Sequence, residues 1–159
     1  MLKLTISKVC SALKLNNGQQ LLLAVAWVHK KAITEFKKYP EVVGFDVTYG
    51  TNQEKRPLAK GTLINSSSKN IPFFNAILPS QCRWVFHWIF DTAIPNLFPS
   101  EYLKKIQLFI TDEDPNCYEM IERSRSHYPV YKHRICKWHK VSCLCTNLII
   151  ICKYPNNYL

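Results

Sequence analysis

Two aspartates, Asp46 and Asp112, and the tetrad Cys136-Lys137-Trp138-His139 are the residues whose types and placement could do chemistry. Asp46 sits near the centre of Glu41-Val-Val-Gly-Phe-Asp-Val-Thr-Tyr-Gly-Thr-Asn52, an apolar run of strand length that stops at a Gly-Thr-Asn turn signal. Asp112 ends a second such run, Lys104-Lys-Ile-Gln-Leu-Phe-Ile-Thr-Asp112. The first run reads as a strand buried on both faces, where an unpaired carboxylate protonates or binds a cation because a lone buried charge is so costly. Carboxylates from two neighbouring strands repel, so a divalent cation is their natural occupant. Oxygen donors with waters completing an octahedron suit magnesium or manganese, and two such ions would stabilise the attacking and leaving oxygens of a phosphodiester displacement. The C-x-x-H tetrad alone is half a zinc site, no more specific than a chance pair.

The elements that must position these groups follow from pattern and punctuation. Residues 1–20 are weakly patterned with an Asn-Asn-Gly break at 16–18, and read as a loosely attached lead-in. Over residues 22–28 partial helical spacing competes with a short strand. A helix is predicted from Lys30 to Lys38, ended by Pro40. Strands over 58–64 and 71–78, joined by a polar loop, complete an antiparallel meander with the Asp46 strand, and Pro72 confines the third to starting at or after itself. Pro79-Ser80 opens a helix with Ser80 as N-cap. Phe86, Ile89, Phe90, Ala93 and Leu97 fall on one face, widened by Trp84, Val85 and Trp88; such aromatic density reads as core, not as a base-stacking platform. Pro95 bends or ends this helix and Pro99 stops it. After Asp112 a helix begins at Pro115, and a short strand follows over 130–136. Strands leading into alternating helices and strands imply a mixed α/β sheet. A right-handed crossover would lay the Asp112 strand parallel beside the Asp46 strand and unite the two carboxylates.

At 159 residues and 47% hydrophobic content the chain fits one domain with one core. Its formal charge of +10 favours a polyanionic partner, DNA above all, against an ordinary solvated cationic face. Seven cysteines, with Cys143, Cys145 and Cys152 crowded near the end, suggest free thiols in a reducing compartment. The longest apolar run, Leu21 to Val28, is far short of the roughly 20 residues of a bilayer span. The polar stretch Asn16 to Gln20 argues against a signal peptide, and the first arginine, Arg56, comes too late for a mitochondrial presequence.

The segment Trp27 to His139 resembles the transposase domain of Mutator-like elements (MULE), a DDE-type recombinase with an RNase H-like fold. The pieces that carry the resemblance are Phe36-Lys-Lys-Tyr-Pro-Glu-Val-Val-Gly-Phe-Asp46-Val-Thr-Tyr-Gly-Thr-Asn52, Lys55-Arg-Pro-Leu58, Trp84-Val-Phe-His-Trp88, Ile110-Thr-Asp112 and Cys136-Lys-Trp-His139. The resemblance implies that Asp46 and Asp112 are the first two metal-binding, catalytic carboxylates of a DNA strand-transfer site, holding Mg2+ or Mn2+. It implies too that Cys136 and His139 are the C-x-x-H signature, and that the protein works in the nucleus. The family's third acidic residue lies well downstream of that signature, whereas no Asp or Glu follows Glu122 here. The expectation is therefore a C-terminally truncated RNase H-like domain over residues 29–139, between a lead-in of 1–28 and a divergent Cys/Ile-rich tail of 140–159. A truncated or misread end would account for that tail, and little or no strand cleavage is expected of this chain alone.

Blander readings stand beside these. Strand-end aspartates commonly cap turns, and Glu113 and Asp114 read as helix-start acids. Cys136, His139, Cys143 and Cys145 offer four zinc ligands in unusual spacing. Lys132, Arg134, Lys137 and Lys140, with Lys55 and Arg56, would track DNA phosphates or simply face water. The alternatives to a transposase are a non-catalytic nucleic-acid-binding domain and a zinc-stabilised interaction module; an oligomer is compatible with any of them.

Overall fold

Buried residues recur at every second position over 24–28, 43–45, 59–63 and 109–111, so one face of the sheet can be covered and the other left partly open. The computed structural model describes residues 6–136. Strands β1 (Ile6–Lys14), β2 (Gln20–His29), β3 (Val42–Thr48), β4 (Leu58–Ile64), β5 (Asn70–Ile77), β6 (Leu108–Thr111) and β7 (Lys132–Ile135) form one sheet of order β1-β2-β5-β4-β3-β6-β7. Pairing is antiparallel from β1 across to β3, and parallel from β3 to β6 and from β6 to β7. The antiparallel meander and the parallel arrival of the Asp112 strand are both present, in a mixed α/β architecture.

The helices are α1 (Lys30–Lys38), α2 (Arg83–His87), α3 (Ile94–Leu97), α4 (Ser100–Leu103) and α5 (Pro115–Arg123), with a π turn over Trp88–Ala93 joining α2 to α3. They cover the face that carries Ala26, Val28, Val43, Phe45, Ala59, Ala76 and Phe109. Aromatic contacts fasten the two layers. Phe36 of α1 lies 5.2 Å from Phe73 and 4.7 Å from Phe98, Phe45 lies 5.0 Å from Phe90, and Phe109 lies 5.3 Å from both Tyr128 and Tyr131. Each fully buried phenylalanine contributes about 1.5–3 kcal/mol of transfer free energy.

Several local expectations need correction. β3 is not buried on both faces: Val43 and Phe45 are buried, while Val42, Gly44 and Asp46 on the alternate face keep partial exposure. Of residues 1–20, expected as a loosely attached lead-in, those from Ile6 onward join the strand candidate over 22–28 in a hairpin whose strand β2 pairs with β5; Ala24, Ala26 and Val28 give it an inward face. Pro72 lies inside β5, which begins at Asn70, because it faces Thr62 at a register shift where no ladder donor is required. Ser80 does not cap α2. The N-cap is Cys82, whose sulfur accepts from the Ser80 hydroxyl at 3.1 Å.

Pro95 does not end its helix; it enters the first turn of α3 directly after the π turn. In that turn the Ile94 N–H donates to Ile89 O, five residues back. The next donor in this pattern would be the N–H of Pro95, which does not exist. Its counterpart acceptor, Phe90 O, instead receives the buried Tyr128 hydroxyl at 2.8 Å. Burial and the nearby Asp91 carboxylate raise the Tyr128 pKa, so it stays a protonated donor.

Candidate two-aspartate site

Parallel pairing sets the site. In register, Val42 faces Leu108, Val43 faces Phe109 and Gly44 faces Ile110. Two residues further along each strand, the same count brings Asp46 level with Asp112. Alternation puts both on the less covered face, and both line one cavity of about 270 Å³ with Gly44, Thr62, Ile110 and Cys136. β7 extends the row: Thr111 faces Ile135, and the Cys136 N–H donates to Thr111 O at 2.6 Å. The carboxyl ends of three parallel strands thus present Asp46, Asp112 and Cys136 side by side, where open α/β sheets bind ligands. Gly44 permits the close approach of β4, since a Cβ there would lie 2.6 Å from the Thr62 hydroxyl. The Thr48 hydroxyl donates to Asp46 Oδ2 at 3.1 Å, which orients the carboxylate.

Behind Asp112 the helix-covered face holds a second set of polar groups. The Thr111 side chain, fully buried, donates to Asp112 O at 2.8 Å and lies 2.8 Å from His133 Nε2. A hydroxyl has one proton to give, so with that donation the imidazole Nε2–H donates to Thr111 Oγ1. Burial, helped by the Arg134 charge and opposed by Glu122, holds the His133 pKa below its usual range and keeps the ring neutral at pH 7. Asp114 is the N-cap of α5, its Oδ1 accepting from the N–H groups of Asn116 at 2.8 Å and Cys117 at 3.4 Å. Burial first, then the Asp112 and Asp114 carboxylates, push the Cys117 thiol well above its normal range.

The donor set of Asp46 and Asp112 suits one hard divalent cation with waters filling its shell. Among the described residues no group of three His, Cys, Asp or Glu side chains could hold a metal ion. Asp114 is committed to its cap and Glu113 is exposed.

Of the basic residues singled out in the sequence, Lys55, Lys132 and Arg134 are exposed. Arg56 turns inward instead: Nε donates to Leu78 O at 3.2 Å and Nη2 donates to Leu23 O, tying β2 to the end of β5. Lys137, His139, Lys140, Cys143 and Cys145 lie outside the described residues, and with them most of the C-x-x-H and zinc readings. Sequence reasoning gave His133 no part in positioning the aspartates, yet it braces the residue before Asp112. His29, equally unremarked, caps α1 by accepting the Lys31 N–H at Nδ1, 3.1 Å away.

The MULE transposase domain model matches residues 42–142, which include both aspartates and Cys136. The chain belongs to the MULE transposase domain family. It is similar to Protein FAR1-RELATED SEQUENCE 5 of Arabidopsis thaliana, 30% identical over 116 residues, covering 72% of this chain and 14% of the relative. Protein FAR1-RELATED SEQUENCE 4 of the same plant is 23% identical over 128 residues, covering 80% of this chain and 16% of the relative. The MULE domain chain thus spans about one sixth or less of the relatives it matches. No helix among its described residues is long and apolar enough to cross a membrane.

Proposed function

We propose that this transposase-derived chain is a nuclear DNA-binding domain of RNase H-like fold. Its two-aspartate site holds one magnesium or manganese ion weakly, and it cleaves DNA strands little or not at all by itself. The observation that carries the reading is the meeting of Asp46 and Asp112 in one cavity at the ends of neighbouring parallel strands. Asp46, its carboxylate oriented by Thr48, and Asp112, whose backbone carbonyl accepts from the Thr111 hydroxyl, would hold the ion. A bound ion would supply Lewis-acid stabilisation of charge on a phosphodiester. A third carboxylate, absent from the sequence after Glu122, would be needed for the two-ion clamp. Losing one such electrostatic contact costs on the order of 3 kcal/mol of transition-state stabilisation or more.

The formal charge of +10 and the exposed Lys55, Lys132 and Arg134 support DNA as the partner. Fluorescence anisotropy with a labelled duplex across a salt series tests it. Binding should weaken steeply with salt, each phosphate contact adding about 0.9 to the logarithmic slope. Absence of binding at low salt would refute the DNA reading. Robust magnesium-dependent nicking would refute the claim of weak catalysis.

A further inference from the structure

Asp112 lines two cavities, the one it shares with Asp46 and a second of about 480 Å³ on the helix-covered side of the sheet. Helical spacing builds one wall of the second: Tyr118 and Glu122 are one turn apart on α5, with Arg125 just beyond its end. β7 and the residue before it supply the facing wall, Tyr131 to Ile135. The chemistry of the two walls differs. Glu122 accepts from the Tyr131 hydroxyl at 2.7 Å and from Arg125 at 2.9 and 3.1 Å, so its charge is answered within the pocket. Tyr118 is 45% exposed, and its ring lies 4.8 Å from the His133 ring at 42°. Lys132 and Arg134 alternate with His133 and so fall on the open face with Leu108 and Ile110, where they also line a groove with Val42, and they border this pocket only across the β7 edge. Asp112 and Glu113 make the rim an acidic one where α5 begins.

We infer that this pocket receives the base of a single unpaired nucleotide from a DNA strand lying on the open face at Asp112, the base turned over the β7 edge to stack on Tyr118 and its phosphate held on the open face by Lys132 and Arg134. The volume is within the range of small-ligand pockets. An acidic rim repels a phosphate, so the phosphate goes to the β7 side and the uncharged base to the α5 side. A half-exposed ring already backed by an imidazole offers a flat, pre-positioned surface at small entropic cost, and base–aromatic stacking tolerates any base. The inference rests on the DNA reading above and names the part of the strand that is recognised.

The test compares wild type, Tyr118→Ala, Tyr118→Phe and Arg134→Gln as the full chain. Labelled single-stranded and fully paired oligonucleotides of one sequence serve as probes. Tyr118→Ala should weaken single-strand binding roughly ten-fold, the scale of one lost stack, with the salt slope unchanged and duplex binding nearly so. Tyr118→Phe should bind as wild type, since the ring and not the hydroxyl matters. Arg134→Gln should lower the single-strand salt slope by about 0.7. In wild type, 2-aminopurine at the bound position should be quenched, and Tyr118→Ala should relieve it. Equal loss on single strand and duplex, or no loss with Tyr118→Ala, overturns the inference while DNA binding by wild type stands. Wild type binding no DNA would overturn both.

Discussion

Replacing Asp46 by Asn is the sharpest test of the two-aspartate site, because the size of its effect should depend on whether metal is present. Asn keeps the shape and can still accept from the Thr48 hydroxyl, which donates to Asp46 Oδ2 at 3.1 Å. What it removes is one of two negative charges on neighbouring strands. Like charges at neighbouring strand positions destabilise by up to about 1 kcal/mol, but Asp46 also faces Lys60 across the β3–β4 pair, an opposite-charge pair of similar size, so in chelator Asp46→Asn should melt within a few degrees of wild type. Magnesium or manganese at ten times its Kd should stabilise wild type by about 1.4 kcal/mol. For a chain of this size that is a rise of about 3–6 °C. The variant should gain little or nothing, so metal addition should move wild type up and leave the variant where it was. Intrinsic tryptophan fluorescence during thermal unfolding reads this directly, and Asp112→Asn should behave alike. A wild-type Tm indifferent to either ion, or a variant that gains as much, would refute the shared-cation reasoning.

Other expectations follow from the same geometry. At Gly61 an added Cβ would lie 2.6 and 2.9 Å from ring atoms of the buried Phe73, so Gly61→Ala should cost about 1–3 kcal/mol in urea unfolding. Gly44→Ala meets only the Thr62 hydroxyl at 2.6 Å, which can rotate away, and should cost less. Arg56→Ala should lower stability by about 2 kcal/mol or more, through loss of charged hydrogen bonds to Leu78 O and Leu23 O, and leave the salt slope of DNA binding unchanged. For His133 the folded pKa lies below the usual value of 6.5, so the unfolded chain takes up a proton first as pH falls. Stability should be full above pH 6.5 and decline below it, and His133→Gln should flatten that decline in pH-dependent denaturation. Glu122 acts lower. Burial alone would raise its pKa, but hydrogen bonds from Tyr131 and Arg125 outweigh that and depress it, so its contribution is lost only below about pH 4.5.

The parts of the fold that announced themselves were those with strong local period or hard punctuation. Pro40 after Lys38 marked the end of α1, and the runs around Asp46 and Asp112 were apolar enough to read as strands that a crossover would bring together. β1 was missed because an exposed edge strand needs no inward stripe, and β2 was left undecided between strand and helix because its inward positions include two alanines, whose small size weakens a hydrophobic signal. Pro72 was misplaced since a bulge is a property of two strands, visible in neither alone. Arg56 looked like a surface cation because sequence gives charge without direction; only the paired strands reveal the carbonyls it meets. Tyr118, Glu122 and Arg125 could have been found from their spacing opposite the buried Cys117, Met120 and Ile121. His133 could not, as its partner Thr111 is set by parallel register.

The bond from Tyr128 to Phe90 O spans thirty-eight positions and serves the backbone of a helix that cannot serve itself. Until the last third of the domain has docked, the helix running from Arg83 to Leu97 carries an acceptor that only water can meet. It is therefore ill suited to be an autonomous early unit of folding. Its final stability arrives together with β6 and α5, which makes the sheet and its helical cover a single cooperative transition.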